Sequence, residues 1–220
     1  MSGRVPVEIS VDALLLRGEH WRGSSLFAVL VHDQGEDLDS WRDIPEQLAT
    51  VGASVIAFDL RGHGGSDGHP AIVHAIDDIE ATVNVAREAG AEGVVVVASG
   101  TSGYAALGSS ADAVIAITPL VDRPTKSVSA GRPHARLVIA SANEASESAV
   151  AAVQSESGRR TLVARVPVDD VGLTILDGRW GSIVASYILA FVRQIGQELA
   201  LRRSHGEPTP TSREDVEQWT

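Results

Sequence analysis

A chain of 220 residues, 44% of them hydrophobic, has enough apolar surface for one substantial core and is short for two domains. Its formal net charge of −11 disfavours nucleic acid and anionic membrane as partners, and the absence of Cys excludes disulfides, thiol chemistry and Cys-ligated metal. No apolar stretch follows residues 1–8 as a signal peptide requires, and no run reaches the roughly 18 apolar residues of a membrane span, so a soluble, cytoplasmic protein is expected.

Taken in order, the first apolar segments lie between Val5 and Leu16 and read as two short antiparallel strands at a sheet edge, with Val7, Ile9 and Val11 turned to one face. Leu26–Val31 is a continuous apolar run, hence a buried strand, followed by a polar loop, His32-Asp33-Gln34-Gly35-Glu36-Asp37. Ser40 or Asp43 can cap a helix that reaches Ala49 and ends at Gly52. A second buried strand, Ser54–Phe58, leads into a glycine-rich loop from Asp59 to Gly68, and an amphipathic helix follows from Ile72 to Ala89.

Four consecutive valines, Val94–Val97, then predict a strand buried on both faces. It runs through Ala98-Ser99-Gly100-Thr101-Ser102-Gly103 into a helix expected across Tyr104–Leu107. Further strands are expected at Val114–Ile117, Arg136–Ala140 and Leu162–Val166, with helices at Ser146–Val153 and Ser182–Leu199. Residues 1–200 therefore read as one domain, and the charged, Pro-punctuated residues 201–220 as a polar, disordered tail. Alternating strands and helices imply a mostly parallel sheet of about eight strands, covered on both faces, with functional loops at the strand C-termini. No G-x-G-x-x-G opens the first helix and no P-loop lysine exists, so no nucleotide cofactor is expected.

Strand, sharp turn and helix around Gly100 have the form of a nucleophile elbow, in which G-x-S-x-G holds a Ser on a strained bend. Three stretches together resemble the α/β-hydrolase superfamily, in particular small lidless esterases and dienelactone-hydrolase-like members. They are Val31–Gly35 followed by Trp41, the elbow, and Asp59-Leu60-Arg61-Gly62-His63-Gly64-Gly65-Ser66-Asp67-Gly68, which is the most specific. The resemblance covers roughly residues 5–197. It implies an α/β-hydrolase fold without a cap domain, because only 18 residues separate Ile117 from Arg136.

It also implies a Ser, acid, His triad in chain order. In this chain the Ser position falls on Gly100, the acid on Glu144 or else Asn143, and the His on Val171. The oxyanion-hole N–H groups would come from Gln34 and Thr101, and Asp33 replaces the usual Gly of that loop, so an inward-pointing carboxylate would repel a developing oxyanion. Gly at the elbow keeps a strained backbone without a Cβ. The resulting expectation is a degenerate triad: a pseudoenzyme with a binding, scaffold or regulatory role, its partner a small molecule, a protein or a second copy of itself.

The alternative is a weak serine esterase or lactonase in which Ser102 reacts with a relocated base, His32 or His63. Each of these residues also has a plainer role: Ser102 would cap or pack the helix start, and the two histidines would bond loop backbone. His32, Asp33, Glu36 and Asp37 would form a metal cluster only with ligands from a second segment; without one they read as a solvated acidic loop, so no metal is expected. Glu144, Asp169 and Asp170 read either as an acidic pocket or as surface charge.

Overall fold

A computed structural model of the protein describes residues 3–121, 133–155 and 160–204. Eight strands form one sheet in the order β1-β2-β4-β3-β5-β6-β7-β8. Strands β1 (Arg4–Val11) and β2 (Leu14–Trp21) make an antiparallel hairpin at one edge, as the alternation of Val7, Ile9 and Val11 requires. Strand β2 runs antiparallel to β4 (Ser54–Phe58), and from there the sheet is parallel through β3 (Leu26–Val31), β5 (Gly93–Ser99), β6 (Ala113–Ile117), β7 (Ala135–Ser141) and β8 (Arg160–Val166).

The unbroken apolar runs are explained by the two layers that cover them. In β5, Val95 and Val97 join a core with Trp41, Leu48, Val184, Ile188 and Ile195. Val94, Val96 and Ala98 point the other way, toward Ile79, Val83, Leu107 and Val150. Each buried Val or Ile stabilises the fold by roughly 1.5–3 kcal/mol, so this central strand anchors both layers. The helices are α1 (Ile44–Thr50), α2 (Ala75–Glu88), α3 (Gly100–Ala106), α4 (Glu144–Ser155) and α5 (Gly181–Ser204). The sheet covered on both faces and without a cap among the described residues is the architecture the resemblance implied, with 17 residues between β6 and β7.

Among the features that differ from the sequence expectation, three have a clear physical cause. Helix α3 begins at Gly100, four residues before Tyr104, because the turn itself is helical and Gly103 packs against β5, where an added Cβ would stand 2.8 Å from the Ala98 carbonyl oxygen. Ser40 and Asp43 do not act as side-chain caps of α1: Ser40 belongs to a preceding 3-10 turn capped by Asp37, and Asp43 makes no capping bond. Helix α5 continues to Ser204, past the tail boundary read at residue 201, with Arg203 donating to Ser25 Oγ at 2.9 Å and paired with Glu92. The rest of the expected tail, 205–220, lies outside the described residues.

Candidate functional site

The C-terminal ends of β3, β5, β6 and β8 bring four loops together at the elbow. Strand β5 passes into α3 with no intervening residue, and Gly100, the first residue of the helix, has φ +55°. Only Gly adopts this left-handed conformation without steric cost. There is no room for a side chain either: a Cβ built on Gly100 would overlap the carboxylate of Asp33.

Asp33 therefore points inward. The peptide N–H groups of Thr101, Gln34 and Ser102 act on its carboxylate, and that of Ser102 donates to Oδ1 at 3.4 Å. These include both N–H groups expected to form the oxyanion hole. Burial raises the Asp33 pKa above the ordinary carboxylate value, against the opposing pull of the three N–H groups, and the nearby Glu36 raises it further.

Glu36 is the residue that sequence reasoning underrated. Its Oε2 accepts from the Asp33 N–H at 2.8 Å and from Ser99 Oγ at 3.0 Å, and its Oε1 accepts from the Leu173 N–H at 2.7 Å. One carboxylate thus joins the loop after β3, the end of β5 and the loop after β8. Gly172 has φ +62°, and a Cβ there would overlap Glu36, so the second loop also closes on this carboxylate through a glycine. Thr118, at φ +41° after β6, completes the junction: its Oγ1 accepts from the Gly172 N–H at 2.7 Å. The only sequence signal for Glu36 was its place in the acidic loop; nothing in the sequence singles out Thr118. The expected solvated loop is instead half-buried at Asp33 and Glu36, since both carboxylates satisfy backbone donors of neighbouring segments.

The two candidate bases are occupied. His32 is fully buried; its Nε2 accepts from the Leu60 N–H at 3.0 Å, which leaves the proton on Nδ1, 2.7 Å from the Asp33 carbonyl oxygen. Burial lowers its pKa, more than the Asp33 carbonyl and the nearby carboxylates raise it. His63 stands edge-on to His32, ring centres 5.1 Å apart, with Nε2 accepting from Gly35 N–H at 3.3 Å and Nδ1 at 3.0 Å from the Arg61 carbonyl oxygen. The Ser102 hydroxyl is buried and has no hydrogen-bond partner among the described residues.

Glu144 is the exposed first residue of α4, where Asn143 Oδ1 accepts from the Ala145 N–H at 2.9 Å. Val171 is 37% exposed, and its carbonyl accepts from Thr174 Oγ1. Asp169 and Asp170 are exposed, as surface charge would be. Among the described residues no group of three or more His, Asp or Glu side chains could hold a metal ion, and no helix is long and apolar enough to cross a membrane.

A sequence model of the alpha/beta hydrolase family matches residues 28–217. The chain belongs to the alpha/beta hydrolase family. Its fold is similar to that of an esterase of Pyrococcus furiosus, with TM-score 0.74, 15% identity, and coverage of 87% of this chain and 91% of that one. It is also similar to an alpha/beta hydrolase of a Penicillium species, with TM-score 0.72, 14% identity, and coverage of 87% and 98%. A serine hydrolase without lid from Xanthomonas campestris matches with TM-score 0.60, 17% identity, and coverage of 76% and 85%. No curated protein matches the sequence. At such identities the structural likeness is one of fold, and the chemistry of this family member depends on the residues at its elbow.

Proposed function

We propose that this alpha/beta hydrolase family member does not carry out serine hydrolysis and keeps the fold for a binding or regulatory role. The observation that carries the reading is the Asp33 carboxylate, which occupies the space beside Gly100 and draws on the N–H groups of Gln34, Thr101 and Ser102. A tetrahedral intermediate needs those donors for its own negative charge, and a resident carboxylate opposes it. Three further features support the same reading: Gly100 has no nucleophilic atom, Val171 has no imidazole, and His32 and His63 commit their ring nitrogens to backbone groups. Triad members act as a unit, so a site without Ser and His keeps only residual catalysis.

One observation favours the alternative, a weak esterase using Ser102 with His32 or His63: the Ser102 hydroxyl has no hydrogen-bond partner among the described residues and is chemically uncommitted. A general base must come within hydrogen-bond reach of that hydroxyl, which neither imidazole does in this conformation. The deciding experiment measures p-nitrophenyl acetate and butyrate turnover and fluorophosphonate labelling, on wild type and on Ser102→Ala. Turnover no faster than a heat-denatured control, with no label, is the expected result. Turnover and label that vanish in Ser102→Ala would overturn the proposal.

A further inference from the structure

A groove lies at the opposite end of the sheet from the elbow, where β3 begins, the α1–β4 turn protrudes and the last turns of α5 pass overhead. Its volume is about 370 Å³, within the range of roughly 300–1,000 Å³ typical of small-molecule sites. The floor is apolar: Leu26, Val51, Ala53, Val192, Leu199 and Ala200. Val51 is 41% exposed there, an apolar side chain left in water at the tip of the turn. Gly196 lets α5 approach the sheet, since a Cβ there would stand 3.1 Å from Leu26 Cδ2.

The rim has a charge opposite to that of the molecule. The chain has 29 acidic and 18 basic residues, yet the groove is lined by two arginines, Arg193 and Arg203, and by no carboxylate. Arg203 is held in place by Glu92 and Ser25. Arg193, on the exposed face of α5, has no carboxylate partner among the described residues. An apolar trough with a guanidinium that meets no carboxylate among the described residues has two complementary demands, a chain to cover the floor and an anion to meet the cation.

We propose that this groove binds a small anionic amphiphile, a medium-chain carboxylate, with its alkyl chain along Leu26, Val51, Leu199 and Ala200 and its carboxylate on Arg193. The site is separate from the elbow and shares no residue with it. A groove of this size suits a single chain of small cross-section, and its cationic rim selects against neutral and cationic amphiphiles of equal length.

The test is isothermal titration of the full-length protein with sodium decanoate below its micelle concentration, beside decanol and decyltrimethylammonium. Saturable one-to-one binding of decanoate is expected. Arg193→Glu should weaken it by about tenfold or more, the worth of one charge-assisted hydrogen bond. Val51→Asp, at an exposed position that does not support the core, should weaken it similarly. Arg179→Glu makes the same change in net charge elsewhere on the surface and should leave the affinity as it was. Equal binding of the cationic amphiphile, no saturable binding of decanoate, or equal losses in Arg193→Glu and Arg179→Glu would each overturn the proposal. Unfolding midpoints of the three variants confirm that they fold.

Discussion

Two loops at the C-terminal end of the sheet are built by the same device and differ in where it points. In the Asp59–Gly68 loop, the Asp59 carboxylate accepts from the Leu38 and Gly65 N–H groups, both at 2.9 Å, and the Ser66 hydroxyl donates to the Asp59 carbonyl at 2.6 Å. Glycines at positive φ, Gly62 and Gly64, let the chain close around that carboxylate; a Cβ on Gly64 would overlap it. At the elbow, Asp33 and Glu36 take N–H groups from three segments, and Gly100 and Gly172 supply the space. In the first loop the carboxylate holds a turn together behind the site. At the elbow the same arrangement fills the place where reaction would occur, so a stabilising motif takes up donors that catalysis would need.

The largest effect should come from the first loop's anchor. Arg61 donates from Nε to Asp78 Oδ1 at 2.9 Å, and both side chains are almost wholly buried. Asp78→Ala leaves that buried guanidinium with only the exposed Asp12 carboxylate, 3.6 Å away, and should cost about 3–5 kcal/mol in urea unfolding. A loss below about 1 kcal/mol, the size of a surface pair, would mean that the loop is held elsewhere and that the likeness between the two loops is superficial.

Next is the elbow glycine. Gly100→Ser places a side chain at φ +55° against Asp33 and should cost roughly 1–3 kcal/mol from the backbone alone, more with the overlap. Asp33→Gly in the same chain removes the overlapping group, so the double variant should be more stable than the sum of the single losses, with a coupling of at least about 1 kcal/mol. Strict additivity would show that Asp33 does not compete for the nucleophile's space. Glu36→Gln is a smaller change: the amide keeps one acceptor oxygen but turns an NH2 toward a former donor, at a cost of about 1–2 kcal/mol. Hydrogen exchange should then speed at the Leu173 and Asp33 amides and stay unchanged at Gly65.

Smaller again is the pH dependence of the clasp. Because the native Asp33 pKa lies above its unfolded value, the native state holds this proton more tightly. Its contribution to stability is full below the ordinary carboxylate pKa of about 4 and is lost as pH rises through the higher native value. Asp33→Asn does not titrate and keeps an acceptor oxygen for the N–H groups. Its stability relative to wild type should therefore climb as pH is raised from 4 to neutrality. A flat difference curve, or one that falls, would mean that the carboxylate is comfortable in its ionised form.

How much of this was legible in the sequence depends on which force set each feature. The valine run, the apolar strands and the glycine-rich loop after Phe58 announce the sheet and its order of elements, because burial and turn chemistry are local properties of sequence. The vacancy at Gly100 was legible too, since the elbow's spacing counts it out. Glu36 was not, because its role depends on three partners 3, 63 and 137 residues away, and loop composition alone resembles solvated charge. The start of α3 is illegible for a related reason: Gly100 and Gly103 are poor helix formers by propensity, and packing against β5 overrides it.

The smallest expected effect is also the sharpest discriminator between the two loops as sources of chemistry. Ser66 in the first loop is fully used, accepting from the Arg17 N–H at 2.8 Å and donating to Asp59. Ser102 at the elbow is buried with no partner among the described residues, so its hydroxyl carries a desolvation cost that none of them offsets. Ser66→Ala should lose about 1 kcal/mol or more, as a bonded, partly buried hydroxyl does, whereas Ser102→Ala should be neutral or more stable by up to about 1 kcal/mol. A comparable loss at both would mean that Ser102 holds a structural bond absent from this conformation. A neutral Ser102→Ala that is still labelled by fluorophosphonate as strongly as wild type would place any reactive serine elsewhere in the chain. Neutral stability with no labelling in either protein leaves Ser102 as packing, and the elbow as a turn closed by its own carboxylate.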